Sequence, residues 1–225
     1  MKAEIVVPSS LDDITLEQYQ LFMRIVSEDD SEEFLAQKMV SVFCKIRLSD
    51  VFKIRMLDVL EIATSIGEMI QKSCDLTPRF KMNDTEFGFI PDLENISFEE
   101  YVDLDSHLGD WQTMHKAMAV MYRPIVKTKR VKYDLEEYLG SFSYSEVLKY
   151  APLSIVLGSM VFFYRLRDEL LKANLSYLKT EVTEMALVQR NSSISSGGGT
   201  IQSINLLEET LQSLTKLQNY HSSNV

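Results

Sequence analysis

The amino-acid sequence predicts a mainly α-helical protein: a helical bundle with a small β-hairpin or sheet insertion, a long C-terminal helix and a linker-tethered amphipathic helix. Three observations carry that class. Apolar residues recur at steps of three and four through most of the chain, as the buried stripe of an amphipathic helix requires. Thr15, Ser97 and Ser143 each stand three residues before a Gln or Glu, the reciprocal pairing that satisfies free N–H groups in a first helical turn. Arg79 to Ile90 instead reads as a hairpin around Asn83-Asp84, residue types that tolerate the positive φ of a two-residue turn.

Taken in order, Thr15 caps a helix whose apolar face is Leu16, Tyr19, Phe22, Met23 and Val26. The acidic run Glu28-Asp29-Asp30-Ser31-Glu32-Glu33 sits where a second helix begins. Carboxylates there face the positive end of the helix dipole, so the plain expectation is a solvated helix start. Phe34, Leu35, Met39, Val42, Phe43 and Ile46 form its apolar face. Ser49 is the expected cap of a third helix, with Ile54, Leu57, Val59, Leu60, Ile62, Ala63, Ile66, Met69 and Ile70 along a broad stripe. Three helices with short connections can pack antiparallel. Cys44 and Cys74 fall within these helical patterns; with no disulfide framework or zinc spacing, they read as reduced, buried thiols of a reducing cytoplasm.

Pro91 closes the hairpin, and Ser97 with Glu100 opens another helix. Asp110 is the expected cap of a helix through Trp111, Met114, Met118, Met121 and Tyr122, ended by Pro124. A second extended pair, 125–127 and 131–135, is placed to join the hairpin in one small sheet. Ser143 with Glu146 caps a short helix. Pro152 then starts a long one running from Leu153 to about Arg190, about 57 Å if unbroken, with Gly158 and Asn174 as places for a break. Residues 191–200, rich in Ser and Gly, form a flexible linker. In the last segment Ile204, Leu207, Leu211 and Leu214 alternate steps of three and four, an amphipathic arm that must dock in cis or on another subunit. The expected organisation is thus a body over 1–190 with β elements near 79–91 and 125–135, a linker over 191–200 and an arm over 201–225.

Charge narrows the function classes. The chain's 225 residues carry 23 Lys and Arg against 33 Asp and Glu, a formal net charge of −10, which disfavours general binding to nucleic-acid backbones. The excess is local: residues 1–100 hold 20 acidic and 10 basic side chains, and residues 101–225 hold 13 of each. One strip runs against the balance. From Arg123 to Tyr133 there are five cations (Arg123, Lys127, Lys129, Arg130 and Lys132) and no acid. The plain reading is a solvated strand edge. The functional reading is a contact with an acidic protein surface, such as the acidic part of a neighbouring copy, with nucleic-acid phosphates as a further alternative. The candidate partner-binding residues are therefore this strip and the arm residues Ile204, Leu207, Leu211 and Leu214.

Catalytic patterns are not evident. The densest polar group is Asp103, Asp105, His107, Asp110 and His115, but helix positions two apart point to different sides and no paired-His motif occurs, so no metal site is expected. Gly197 to Gly199 lack the Lys-Ser/Thr of a phosphate-binding loop. Neither a nucleophile elbow nor a dinucleotide fingerprint is present, and neither cysteine has a histidine nearby in sequence. The expectation is a protein without enzymatic activity or cofactor. The most apolar stretch, Leu153 to Tyr164, spans 12 residues and includes Ser154, Gly158 and Ser159. That is shorter than the roughly 20 residues of a membrane span, so it reads as buried core. The first eight residues lack the apolar run of a signal peptide, and a soluble protein is expected.

Four phrases carry a family resemblance: Ile14 to Gln20, Phe87 to Leu93, Phe98 to Asp105, and Asp110-Trp111 with Met114 to Ile125. Together they resemble small proteins of tailed bacteriophages that infect Bacteroidetes, including the crAss-like phages. The likeness covers roughly residues 14 to 170 and leaves out the linker and last helix. The resemblance implies a structural or assembly role: a head–tail, tail or internally packaged virion component in several copies, made in the host cytoplasm, whose partners are other phage structural proteins and copies of itself. A tail-assembly chaperone absent from the finished particle is the alternative, and a DNA-contacting virion protein using the 123–132 strip is a further one.

Overall fold

Hydrophobic burial is centred on one short helix, Met114 to Met121, in which seven of eight side chains are inaccessible to solvent. A helix buried on nearly every side must be surrounded, and the rest of the fold surrounds this one. The computed structural model describes residues 5–91, 96–130 and 132–164, which apart from Tyr164 fall in one unit, Met1–Phe163. It is mainly α with a small four-stranded antiparallel sheet, as the sequence predicts.

After a 3-10 turn at Leu11–Asp13, α1 spans Leu16–Ile25, α2 Glu32–Phe43, α3 Leu48–Val51 and α4 Met56–Ile70. Strands β1 (Arg79–Met82) and β2 (Thr85–Phe89) form the expected hairpin; Asn83 and Asp84 take φ of 49° and 65°. Helix α5 (Phe98–His107) and the central α6 (Met114–Met121) follow. The chain then passes directly into β3 (Tyr122–Lys129), which pairs with both β2 and β4 (Lys132–Leu135). The second extended pair thus joins the hairpin in the order β1-β2-β3-β4. A short α7 (Ser145–Leu148) precedes α8, helical over 153–164. The expected continuation of α8 to 190, the linker and the arm lie outside the described residues.

The capping pattern at Thr15 and Ser97 forms as expected, each side chain accepting from the N–H three residues on and receiving the reciprocal bond. Other boundaries differ. The third helix is split into α3 and α4, with Ser49 inside α3 and not at its start. Each piece begins with an Arg at the cap position bonded to an Asp three residues on: Arg47 Nε to Asp50 at 2.8 Å, and Arg55 Nε to Asp58 at 2.8 Å. Asp110 does not cap α6. Its carboxylate accepts from Gln112 N–H (2.9 Å) in a turn, and the helix starts three residues later behind Thr113. Pro124 lies inside β3, after the helix has already ended at Met121. Ser143 bonds back to the Leu139 carbonyl, leaving Tyr144 at the cap position of α7. Cys44 is buried at the end of α2, but Cys74 is half-buried in the connection after α4, outside any helix.

The two ends of the described chain are joined. Leu16 N–H donates to the Ala151 carbonyl (3.0 Å), Glu17 N–H to Lys149 (2.7 Å), and Leu153 N–H to Ile14 (2.8 Å). Here α8 starts against the segment that precedes α1, and Ile14, Leu16, Leu148, Ala151 and Leu153 are fully buried. Gly158 lets α8 lie on the backbone after α4; a Cβ there would sit 2.3 Å from the Asp75 carbonyl oxygen.

Candidate partner-binding surface

The sheet presents two different faces. On the inner face Phe87, Phe89 and Tyr122 are buried, with ring contacts from Phe80 onto Phe87 at 5.5 Å and Phe162 onto Phe89 at 5.6 Å. On the outer face the cross-strand row is Arg79, Gly88 and Arg123. Gly88 is glycine for room: a Cβ would lie 2.5 Å from the Tyr133 ring and 2.9 Å from Leu135. Tyr133 crosses this row and donates its hydroxyl to the Phe89 carbonyl at 2.6 Å, while the Arg79 guanidinium stacks on its ring at 4.6 Å. Burial pushes the Tyr133 hydroxyl above its ordinary range.

Arg123, the first cation of the predicted strip, belongs to this outer layer. It pairs with Glu100 of α5 at 2.8 Å, both side chains nearly buried at 13% and 9% exposure, and its guanidinium lies over Tyr138 at 5.5 Å. That ion pair removes it from the surface strip. Tyr138 in turn donates to Asp103, and that hydrogen bond is the largest cause holding the Asp103 carboxyl below its usual range. Burial, with Asp103 beside it, raises the Tyr138 hydroxyl.

The remaining strip forms the β3–β4 hairpin end. Lys127 and Lys132 are exposed, and Arg130 occupies the turn with φ of 56°. The register sets Lys129 opposite Lys132, two like charges at the closing pair, where a solvated or partnered end is favoured over a packed one. Pro124 fits within β3 because its carbonyl accepts from Glu136 N–H (2.9 Å), so its missing donor falls at the end of β4, beside a register shift between Ile125 and Lys127. The arm residues Ile204, Leu207, Leu211 and Leu214 lie outside the described residues.

Sequence reasoning missed the acids that adjoin this strip. A cleft of about 620 Å³ opens over the outer face, with Glu99, Asp134, Glu136 and Glu137 around it and Arg123 and Tyr138 among its lining. The signal was present: Asp134, Glu136 and Glu137 directly follow the basic strip in sequence. The polar group read as a poor metal candidate is dispersed into local ties. Asp103 serves Tyr138 and Ser141, Asp110 serves Gln112, and His115 meets Gln20 Nε2 at 3.1 Å. Among the described residues no three His, Cys, Asp or Glu side chains are grouped to hold a metal ion, and no helix is long and apolar enough to cross a membrane. No protein-family model, curated protein or solved structure matches the chain.

Proposed function

We propose that this chain is a non-enzymatic bacteriophage virion component, a head–tail, tail or internally packaged protein that acts by protein–protein contact in multiple copies. The observation that carries the contact reading is the β3–β4 hairpin, where Lys127, Arg130 and Lys132 are exposed and Lys129 is opposite Lys132 in the register, in a chain of net charge −10. Charge of one sign at a projecting end, with the opposite sign on other copies and partners, steers and orients association. The resemblance over roughly residues 14 to 170 supports the phage setting. Its phrases fall on fold-determining features: the Thr15 cap, the β2 strand, the Ser97 cap region and the central α6.

Mass spectrometry of purified particles tests the proposal. The chain should remain with the particles through density-gradient purification, and its presence in infected-cell lysate alone would favour the tail-assembly chaperone. The four hairpin cations also keep the DNA-contact alternative open. Duplex binding that weakens steeply with salt would favour that reading, since each neutralised phosphate releases counterions.

A further inference from the structure

The outer edge of β4 has the features of an interface with a second copy of this chain. β4 is the last strand of the sheet, paired with β3 on one side only. The pairs Lys129↔Lys132 and Lys127↔Asp134, and the bond from Glu136 N–H to Pro124, turn the backbone of 132, 134 and 136 towards β3. The backbone groups of the alternating residues, Tyr133 and Leu135, therefore face outwards. Among the described residues, no backbone hydrogen bond reaches either of them from outside the sheet.

Side chains alternate with the backbone, so Lys132, Asp134 and Glu136 share one face of β4. Edge strands that resist pairing commonly carry charged side chains, lysine above all. This one carries both signs in sequence order, basic at its start and acidic at its end. Two such strands brought together antiparallel set the basic start of each against the acidic end of the other.

We infer that two copies of the chain pair antiparallel along β4 about a two-fold axis at Tyr133. In that register Lys132 lies opposite Asp134 of the second copy, a pair that occurs twice by symmetry. Neighbouring registers that keep the same backbone groups facing are disfavoured. A centre at Asp134 opposes two aspartates, a centre at Leu135 opposes Asp134 to Glu136, and a centre at Lys132 opposes two lysines. A centre at Asp134 also sets Lys132 opposite Glu136, but with two aspartates at its middle; the two-fold at Tyr133 sets Lys132 against Asp134 with no like pair beside it.

This deepens the proposed function by naming a copy of the chain as the partner of the basic strip, and it is tested separately from it. The measurement is the mass of the purified chain by sedimentation equilibrium, at concentrations up to about 100 µM. The wild type should form a dimer that weakens as NaCl rises from about 0.05 to about 0.5 M. Lys132→Glu and Asp134→Lys alone should each shift the equilibrium at least tenfold towards monomer. An equimolar mixture of the two single variants should recover association, as should the double exchange K132E/D134K. Both sites of change are exposed, so circular dichroism should show an unaltered fold. A wild-type monomer throughout this range would overturn the inference, as would a dimer indifferent to Lys132→Glu or a double exchange that fails to restore it. Particles lacking the chain would defeat the virion reading and leave the dimer standing, whereas a monomeric chain found in particles would do the reverse.

Discussion

Arg123 and Glu100 show how far one side chain's role departs from its sequence neighbourhood. Counting charges assigns Arg123 to a basic strip; strand alternation turns it to the outer face, beneath a glutamate from α5 that is distant in sequence. Removing one member leaves the other charge nearly buried without its partner, which costs about 3–5 kcal/mol, whereas replacing both is close to neutral. Arg123→Met should therefore lower unfolding stability in urea by about 3 kcal/mol, and the pair Arg123→Met with Glu100→Gln should recover most of it. The Gln keeps an acceptor for the Ser97 N–H, which Glu100 now bonds at 2.7 Å. His115 gives a pH prediction. Burial holds its imidazole below the ordinary value, Lys149 lowers it further, Glu146 opposes the shift at 4.0 Å, and Lys116 and His107 add to the lowering. Its folded pKa is thus below its unfolded one, and the unfolded chain takes up the proton first as the medium acidifies. Stability should be full above the unfolded value of about 6.5 and fall below it. In His115→Gln, thermal melts between about pH 7 and pH 5 should lose less stability than in the wild type.

At the scale of elements, the two helix glycines make opposite predictions. Gly67 lies within α4 with open space where a Cβ would stand, so Gly67→Ala should stabilise by about 0.5 kcal/mol through lost freedom of the unfolded chain. Gly158 lies within α8 with the Asp75 carbonyl oxygen 2.3 Å from a built Cβ, a backbone atom that cannot rotate away. Gly158→Ala should cost about 2–3 kcal/mol in the same denaturation assay. The elements that were legible in the sequence are those whose signals are local: the Asn83-Asp84 turn and the caps at Thr15 and Ser97 need only neighbours three residues away. The Ser143 pattern failed because its hydroxyl is engaged by Leu139 behind it, and Tyr144, not Ser143, occupies the cap. The break between α3 and α4 was legible in a form not sought, the repeated spacing of Arg47 with Asp50 and Arg55 with Asp58 at each helix start. The early end of α6 is a tertiary effect. Tyr122 becomes strand because β2 offers it a partner at Phe89, ahead of the proline that sequence alone would take as the stop.

For the whole molecule, the net charge of −10 matters less than its arrangement. The front 100 residues carry the excess, and the later β hairpin places cations at its turn with Asp134, Glu136 and Glu137 directly behind them. A sequence count exposes the strip; only the sheet register shows that the same strand holds its own complement, since that depends on which residues face β3. Association through such an end is electrostatic in its steering and should be salt-sensitive in rate as well as affinity. Replacing Lys129, Arg130 and Lys132 together by Glu should leave the fold intact and abolish salt-dependent self-association, as read by light scattering across a salt series. The most direct test of the account joins location and contact: lysine-directed cross-linking of intact purified phage particles, followed by mass spectrometry. The account predicts that the chain is present and that Lys127, Lys129 or Lys132 is linked to a neighbouring chain, a second copy included. Particles that lack the chain, or in which these lysines link only within their own chain while other lysines reach neighbours, would contradict it.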